Sequence, residues 1–266
     1  MNTKGIPETH IKTVKDVTVK HVACSQDKMV IIHLNRNQFQ RFKPVSKDMM
    51  EADPDIKSVY AEFGGKYFHI AGYQSIIEDV NGFPFKVSPF SPLKKHTQSN
   101  FYKKVRDISP KGTTRNCIII GTHFGLIPLH TAHLYNRLYC VDVDKTSYTE
   151  GKETLRFNKV NNCMMFNVEP EKWLKDFEAH KYTPPGKIQK IGSSVINLDI
   201  VGTDELNTLL NIKPETVILF SESKDKVEKK ATMFEKREHE SGGIIKSDYL
   251  YLVRLKRHIG EAPCKA

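Results

Sequence analysis

The spacing of apolar and polar residues changes near residue 116, and the change separates two regions of the chain. Before it, apolar residues at alternate positions predict short β strands. "VTVKHVAC" and "MVIIHLN" predict a hairpin around "SQDK", and "SVYAEFGGKYFHIAG" predicts a second strand pair around Gly64-Gly65. A further short strand and a proline-containing turn follow, and a helix is predicted to begin near Thr97.

After residue 116, strand-like and helix-like segments alternate. Five apolar runs predict strands, and each precedes a segment with helical spacing: "NCIIIG" then 125–136, "RLYCVDV" then 145–158, "CMMFNV" then "EPEKWLKDF", "SSVINLDIV" then "TDELNTLLN", and "TVILFSE" then "DKVEKKATMFEKREHE". Two extended pieces in "GIIKSDYLYLVRLKR" end the pattern. We predict an α/β fold with a seven-stranded, mainly parallel, Rossmann-like sheet. A small β-rich α+β domain precedes it, with residues 1–95 in the first domain and 96–266 in the second.

The charge balance favours a polyanionic partner. The chain has 266 residues, with 41 Lys and Arg against 31 Asp and Glu, a formal charge of +10. Nucleic acid is the commonest partner of such proteins, although the same excess can serve solubility alone. Each lysine run taken singly is typical of a solvated face. Together with aromatic side chains they predict an RNA-binding surface, formed by Lys94, Lys95, Lys103, Lys104, Lys229, Lys230, Tyr73, Phe90 and Tyr102.

The cysteines indicate a reducing, intracellular compartment, and the sequence does not distinguish cytoplasm from mitochondria. All five are scattered without a CxxC pair, which argues against a zinc site; we predict no bound metal. No run approaches the roughly 20 apolar residues of a membrane span, so no membrane partner is expected. The start, "MNTKGIPETHIKTVKD", is neither a signal peptide nor a transit peptide, while a cleaved leader absent from this sequence stays an open alternative.

Candidate site residues follow the predicted strands, because ligands of such sheets bind at the carboxyl ends. Gly121 and Gly125 flank the first loop, "GTHFG", which is typical of a cofactor loop but also of a plain strand-to-helix turn. Asp142 ends the second strand about 20 residues on, where a carboxylate holds ribose hydroxyls; the alternative is an exposed acid at a loop edge. Asp144 is predicted to cap the next helix.

Two further strand ends have polar residues. Asn197 and Asp199 follow the fourth strand, where either could face a pocket or Asp199 could cap the next segment. Ser221, Glu222 and Ser223 follow the fifth. The sequence lacks G-x-S-x-G, HExxH, P-loop and EF-hand motifs, which leaves these positions without a specific chemistry of their own.

The order of segments over about residues 55–255 resembles the tRNA (uracil-5-)-methyltransferase family. "GYQSIIEDVNGFPFKVSPFSPLKKHTQSNFYKKV" is similar to that family's I-x-E-x-x-x-G-x-x-F-x-I-S-P-x-S-F-F-Q-x-N-T segment. The matching residues are Ile77, Glu78, Gly82, Phe85, Val87, Ser88, Pro89, Ser91, Thr97 and Tyr102. "YCVDVDKTSYTEGKETLRFNKVNN" and "GTDELNTLLNIKPETVILFSES" follow later family motifs. The resemblance implies a class I S-adenosylmethionine-dependent methyltransferase fold, S-adenosylmethionine as ancestral cofactor, and a structured RNA as partner.

The family's functional residues are largely replaced in this chain. Ile119 stands at the Asp of its first motif and His123 at its first Gly, while Gly125 is kept. Lys94 and His96 align with the Gln and Asn of F-F-Q-x-N. In D-P-P-R-x-G, Asn197 stands at the Asp, Leu198 and Asp199 at the prolines, and Ile200 at the Arg. His123 and Phe124 would place side chains where the methionine part of the cofactor should lie.

The catalytic thiolate is also missing from the alignment. Glu222 aligns with the Cys that adds to uracil C6, and a carboxylate is a poor substitute for a low-pKa thiolate. The closing H-x-E motif aligns near Lys246–Asp248, where only Asp248 is acidic. The resulting hypothesis is a catalytically inactive homologue in which Asn197, Glu222 and Asp248 are degenerate catalytic positions. Gly121, Gly125, Asp142 and Asn197 would be vestigial cofactor positions.

Such a protein would bind tRNA or rRNA as a scaffold or assembly component, within a larger ribonucleoprotein. The alternative is an active S-adenosylmethionine-dependent RNA methyltransferase that modifies a nitrogen or ribose atom, since that chemistry needs no thiolate. A third alternative is a pure protein–protein scaffold, which would lack salt-dependent affinity for RNA.

Overall fold

The computed structural model describes residues 14–21, 27–91, 100–111, 115–179, 191–237, 239–247 and 250–257. The chain divides into two compact units, residues 1–98 and 99–266, and each is described by itself. The domain boundary predicted between residues 95 and 96 falls in a segment, 92–99, that lies outside the described residues.

The first unit contains a four-stranded sheet in the order β1-β2-β3-β4. Its strands are β1 (Val14–His21), β2 (Lys28–Leu34), β3 (Ile56–Phe63) and β4 (Lys66–Gly72). The β1–β2 and β3–β4 pairs are antiparallel, as the two predicted hairpins require. The β2–β3 pair is parallel, so a crossover must connect these two strands.

That crossover is a helix that the sequence prediction of short β segments missed. Helix α1 (Phe42–Ala52) follows a short 3-10 turn at Phe39–Arg41. Phe42, Val45 and Met49 are buried against the apolar face of the sheet that contains Val30. Their spacing of three and four residues was the helical signal in the sequence.

A two-stranded hairpin follows, made of β5 (Ile76–Val80) and β6 (Phe83–Val87). Asn81 and Gly82 both have positive φ in its turn, 56° and 87°, as a two-residue hairpin turn requires. The next turn, Ser88–Ser91, is held to β1 by Lys20. The Lys20 ammonium donates to the carbonyls of Ser88, Pro89 and Ser91 at 3.2, 2.6 and 2.7 Å.

The second unit contains a mainly parallel sheet in the order β12-β14-β11-β10-β7-β8-β9. Five strands are parallel to one another: β7 (Asn116–Ile120), β8 (Arg137–Val141), β9 (Cys163–Phe166), β10 (Ile191–Asn197) and β11 (Thr216–Ser221). β14 (Leu250–Arg257) runs antiparallel beside β11. Two short strands, β12 (His239–Ser241) and β13 (Ile245–Ser247), pair with β14, so eight strands take part where seven were predicted. The predicted fold class is confirmed.

The described residues of this unit form six helices. α2 precedes β7, and the other five each follow a strand: α2 (Phe101–Ile108), α3 (Leu126–Thr131), α4 (Lys145–Phe157), α5 (Pro170–Glu178), α6 (Thr203–Ile212) and α7 (Lys224–Glu235). The helix predicted over 125–136 is shorter and continues as a 3-10 turn at Ala132–Leu134. The last helix ends at Glu235 rather than Glu240, because His239 is buried against the Phe234 ring and starts β12. The start predicted near Thr97 lies outside the described residues.

The sheet interior is apolar on both faces, which is why its strands read as continuous hydrophobic runs. On one face, Trp173 and Phe177 of α5 pack against Tyr139 of β8. Cys117 and Cys140 are buried and Cys163 is partly buried; all three are free thiols. Burial raises the pKa of the Cys117 thiol well above its usual range, as expected of a cysteine that serves as a small apolar side chain.

Candidate functional site

The strand order reverses between β7 and β10, so the carboxyl ends of these two strands define the place where such sheets bind ligands. Gly121 follows β7 with φ of 83°, and its N–H donates to the Val141 carbonyl at 2.9 Å. A Cβ added to Gly121 would lie 2.7 Å from Cβ of Asn197 and 3.2 Å from Cδ1 of Ile200. The structure therefore brings Gly121 and Asn197, two predicted site residues, into contact.

The loop after β7 has a left-handed backbone. Gly121, His123, Phe124 and Gly125 all have positive φ, and at His123 and Phe124 this costs on the order of 1–3 kcal/mol each. A Cβ on Gly125 would lie 2.9 Å from Cα of Gly151 in α4. Gly125 therefore allows α4 to approach the loop closely, which is a packing role rather than a contact with a ligand.

Aromatic packing around His123 offsets part of the cost of the left-handed backbone in this loop. The His123 ring lies 5.3 to 6.1 Å, between ring centroids, from the rings of Phe101, Tyr102 and Phe220. Phe101 and Tyr102 begin α2, and Phe220 is near the end of β11. The imidazole that replaces a glycine of the resembled family is thus part of a packed aromatic group at the carboxyl edge.

Asp142 is the centre of a hydrogen-bond network at this edge. Its Oδ2 accepts from the Thr122 N–H at 2.9 Å, from Thr122 Oγ1 at 2.7 Å and from Ser147 Oγ at 2.7 Å. Its Oδ1 accepts from the Asp144 N–H at 3.1 Å. Ser147 Oγ in turn accepts from the Phe124 N–H at 3.0 Å. We call Asp142, Thr122 and Ser147 the carboxylate clamp.

The clamp bears on the predicted ribose role of Asp142. The alternative of an exposed acid is wrong, since Asp142 is 5% exposed. Ribose hydroxyls would have to displace Thr122 and Ser147 from Oδ2, and those donors are themselves buried. In this arrangement of the loop, Oδ2 is engaged within the protein, while Oδ1 accepts one hydrogen bond, from the Asp144 N–H.

Sequence reasoning missed Thr122 and Ser147. Asp144 is the N-cap of α4, as predicted, and accepts from the Ser147 N–H at 2.5 Å. A serine three residues after an N-cap acid is the signal that was present in the sequence. The Ser147 hydroxyl reaches Asp142 because α4 packs against the loop after β7, and the local sequence does not show this packing.

Asp199 forms a second cluster, between the ends of β10 and β11. Its carboxylate accepts from Ser221 Oγ at 2.8 Å, Lys226 Nζ at 2.9 Å and the Glu222 N–H at 3.1 Å. Partial burial acts to raise the pKa of Asp199, but the hydrogen bonds from Lys226, Ser221 and the Glu222 N–H outweigh it and hold the pKa below its usual range. Asn197 Oδ1 accepts from the Asp199 N–H at 2.9 Å, which fixes the turn.

The degenerate catalytic positions have no thiol near them among the described residues. Glu222 is exposed at the end of β11. The described cysteines lie in β7, β8 and β9, and Asp248 lies outside the described residues. No group of three or more His, Cys, Asp or Glu side chains in the described ranges could hold a metal ion.

The predicted RNA-binding residues are partly described. Lys103 and Lys104 are exposed on α2, and Tyr73, just after β4, is 69% exposed. The prediction for Tyr102 is wrong, because its ring is buried against His123 and His130. Lys94 and Lys95 lie outside the described residues. Across the described part of the chain, no helix has the length and apolar character needed to cross a membrane.

Asp142→Asn should destabilise the second unit by about 1–3 kcal/mol. One amide oxygen cannot replace both carboxylate oxygens, because the amide nitrogen would then face either the Asp144 N–H or the donors of Thr122 and Ser147. Native-state hydrogen exchange of the β7 and β8 amides measures the decrease in the free energy of unfolding. Asp144→Asn is the matched control, since Asn caps helices as well as Asp does; equal losses in both variants would contradict the clamp.

Asp199→Asn should make stability less dependent on pH. Because the folded-state pKa of Asp199 is lowered, its contribution is present at neutral pH and is lost as pH falls through the folded-state pKa. The variant should be less stable than the parent at pH 7, and the difference should shrink between about pH 4 and pH 2. Thermal denaturation across this range measures it; a difference independent of pH would contradict a charge-dependent role.

Comparison with known proteins places the chain among methyltransferase folds. No family model matches it. An uncharacterised RNA methyltransferase of Fusobacterium nucleatum is 25% identical over 180 residues, which are 62% of this chain and 38% of that protein. The Pyrococcus abyssi tRNA (uracil-54, C5)-methyltransferase in complex with S-adenosyl-L-homocysteine matches with a TM-score of 0.68 at 10% identity, covering 92% of this chain and 60% of that chain.

A second solved structure, the complex of aTrm5 and tRNALeu, matches with a TM-score of 0.52 at 15% identity, over 93% of this chain and 73% of that chain. The chain spans less than two thirds of the Fusobacterium and Pyrococcus proteins. It has the fold of the S-adenosylmethionine-dependent methyltransferases and is similar in sequence to an RNA methyltransferase.

Proposed function

We propose that this protein is an RNA-binding, catalytically inactive relative of the tRNA and rRNA uracil-5-methyltransferases. It acts as a scaffold or assembly component on a structured tRNA or rRNA, within a larger ribonucleoprotein in a reducing, intracellular compartment. The carboxylate clamp is the observation that supports this most directly. The carboxylate that would hold a ribose accepts three hydrogen bonds from the protein on Oδ2.

The chemistry at the end of β11 supports the same proposal. Methylation at uracil C5 requires a thiolate that adds to C6, and Glu222 offers a carboxylate at that place. The neighbouring Asp199 is engaged with Ser221 and Lys226. Asp142 and Asp199, the two acids nearest the centre of this edge, therefore have structural partners within the protein.

Charge and similarity support an RNA partner. The net charge of +10 favours binding to phosphates, and Lys103 and Lys104 add two exposed cations on one helix. The similar structures include a tRNA methyltransferase and a complex with tRNA. In a protein that kept this fold after losing the thiolate, RNA binding would be the property that selection preserved.

The alternative is an active S-adenosylmethionine-dependent RNA methyltransferase with altered chemistry. The fold shared with a structure solved with S-adenosyl-L-homocysteine, and the glycine loop at Gly121 and Gly125, favour this alternative. Methyl transfer to a nitrogen or ribose oxygen needs positioning rather than a thiolate. Asn197, Asp199 and Glu222 would then orient the acceptor.

Calorimetry with S-adenosyl-L-homocysteine should give no binding tighter than about 1 mM. Incubation with labelled S-adenosylmethionine and a tRNA transcript should give no methylated nucleoside, because the ribose acid is occupied and the thiolate is missing. The Pyrococcus abyssi enzyme, tested on the same transcript, is the positive control. Formation of 5-methyluridine would refute the proposal; a methylated nitrogen or ribose would establish the alternative instead.

Binding to a tRNA transcript, followed by fluorescence anisotropy, should weaken steeply with salt. Lys103→Glu/Lys104→Glu should reduce the slope of log K against log salt by about 1.4–1.8, since each lost phosphate contact removes roughly 0.7–0.9. Lys172→Glu/Lys236→Glu, with the same change in net charge at exposed positions in α5 and just after α7, should change the slope less. Equal slopes for the two double variants would show that Lys103 and Lys104 do not contact RNA phosphates. Binding that is undetectable or independent of salt would refute RNA binding altogether.

A further inference from the structure

β9 forms one edge of the sheet in the second unit. β9 is the last strand in the sheet order, and in the described part of the chain no strand pairs with its far side. The Leu138 N–H donates to the Asn162 carbonyl and the Asp142 N–H to the Phe166 carbonyl. Because the direction alternates along a strand, the backbone groups of Cys163 and Met165 point away from β8.

The composition of β9 makes this edge unusual. Its four residues are Cys-Met-Met-Phe, and Met164 is 41% exposed. Soluble proteins usually guard an edge strand with a charged residue, a proline or a bulge, and β9 has none of these. An apolar edge without such a guard is typical of a place where another strand is added.

A groove lies beside β9, between residues of this strand and residues of α4. Its volume is about 420 Å³, and its floor is formed by Leu155, Val160, Cys163 and Met165. Side chains of a strand added to β9 would point alternately into this groove.

The rim of the groove has more positive than negative charge. Lys152 and Arg156 stand one helical turn apart and are exposed, and Glu153 is the acid among the lining residues. The Lys152 ammonium lies 3.3 Å from the Tyr148 hydroxyl and 5.2 Å from the centre of that ring. Neither cation forms an ion pair with another described residue. Like charges at this spacing are mildly unfavourable in a free helix, and an acidic partner would offset this.

We propose that β9 and the adjoining groove bind an extended segment of a partner protein, in which apolar residues alternate with acidic ones. The segment adds a strand to the β9 edge, places apolar side chains on the groove floor, and sets carboxylates against Lys152 and Arg156. A second copy of this chain is the less suitable occupant, because two cationic rims would face each other across the two-fold axis. This interaction is independent of the RNA-binding proposal.

Three fluorescent decapeptides test the proposal on the whole chain. Each alternates Val and Thr at one set of positions with Glu, Gln or Lys at the other. Binding should be tightest for the Glu peptide, by about tenfold over the Lys peptide, and Lys152→Glu/Arg156→Glu should reverse that order. Lys229→Glu/Lys236→Glu, with the same change in charge on α7 and just after it, toward the other end of the sheet order, should preserve it.

Backbone pairing is tested separately by Cys163→Pro. Proline removes the outward N–H while leaving the β8–β9 bonds, and Cys163→Ala keeps the N–H as the matched control. Cys163→Pro should weaken Glu-peptide binding by about tenfold relative to Cys163→Ala. Equal binding by the two variants, or the same affinity for all three peptides, would overturn the proposal. So would a dimer, seen by light scattering, that only Cys163→Pro dissociates, because the edge would then pair with its own copy.

Discussion

The second unit depends on one buried carboxylate. Asp142 ends β8, and its oxygens accept donors from the loop after β7 and from the first turn of α4. A buried charge is costly unless it is fully hydrogen-bonded. The four hydrogen bonds meet that cost by joining two strand ends and a helix start. The left-handed backbone at His123 and Phe124 is tolerable because the clamp and the aromatic group around His123 hold the loop on both sides.

The loop around this carboxylate contains several of the residue types expected at a cofactor site, and each has a structural reason to be there. The fold needs Gly121 for its contact with Asn197 and Gly125 for the approach of α4, so both glycines have packing reasons to be present. Asp142 and Asp199 lie where this fold presents ligand-binding groups, and both have partners inside the protein. The sheet, the glycine loop and the acid at the end of β8 therefore do not by themselves imply a bound cofactor.

Outside that edge, the structure provides two surfaces on different elements. The exposed lysines of α2 suit a polyanion, whereas the β9 edge and its groove suit an extended acidic peptide. A scaffold in a ribonucleoprotein needs both kinds of contact. Neither surface requires an open cofactor site, so a closed clamp is compatible with both.

The sequence by itself determined the alternation of strands and helices, the parallel class of the sheet and the cap at Asp144. These features depend on the spacing and hydrophobicity of residues that are close together in the sequence. It missed α1, whose apolar positions lie within a region of strands, and it extended the last helix through His239, whose burial depends on Phe234. Only the tertiary structure decided what Asp142 does. A carboxylate at a strand end can face a ligand or its own loop, and the choice depends on Thr122 and Ser147, which are 20 and 5 residues away in the chain and reach it only after α4 has packed against the loop.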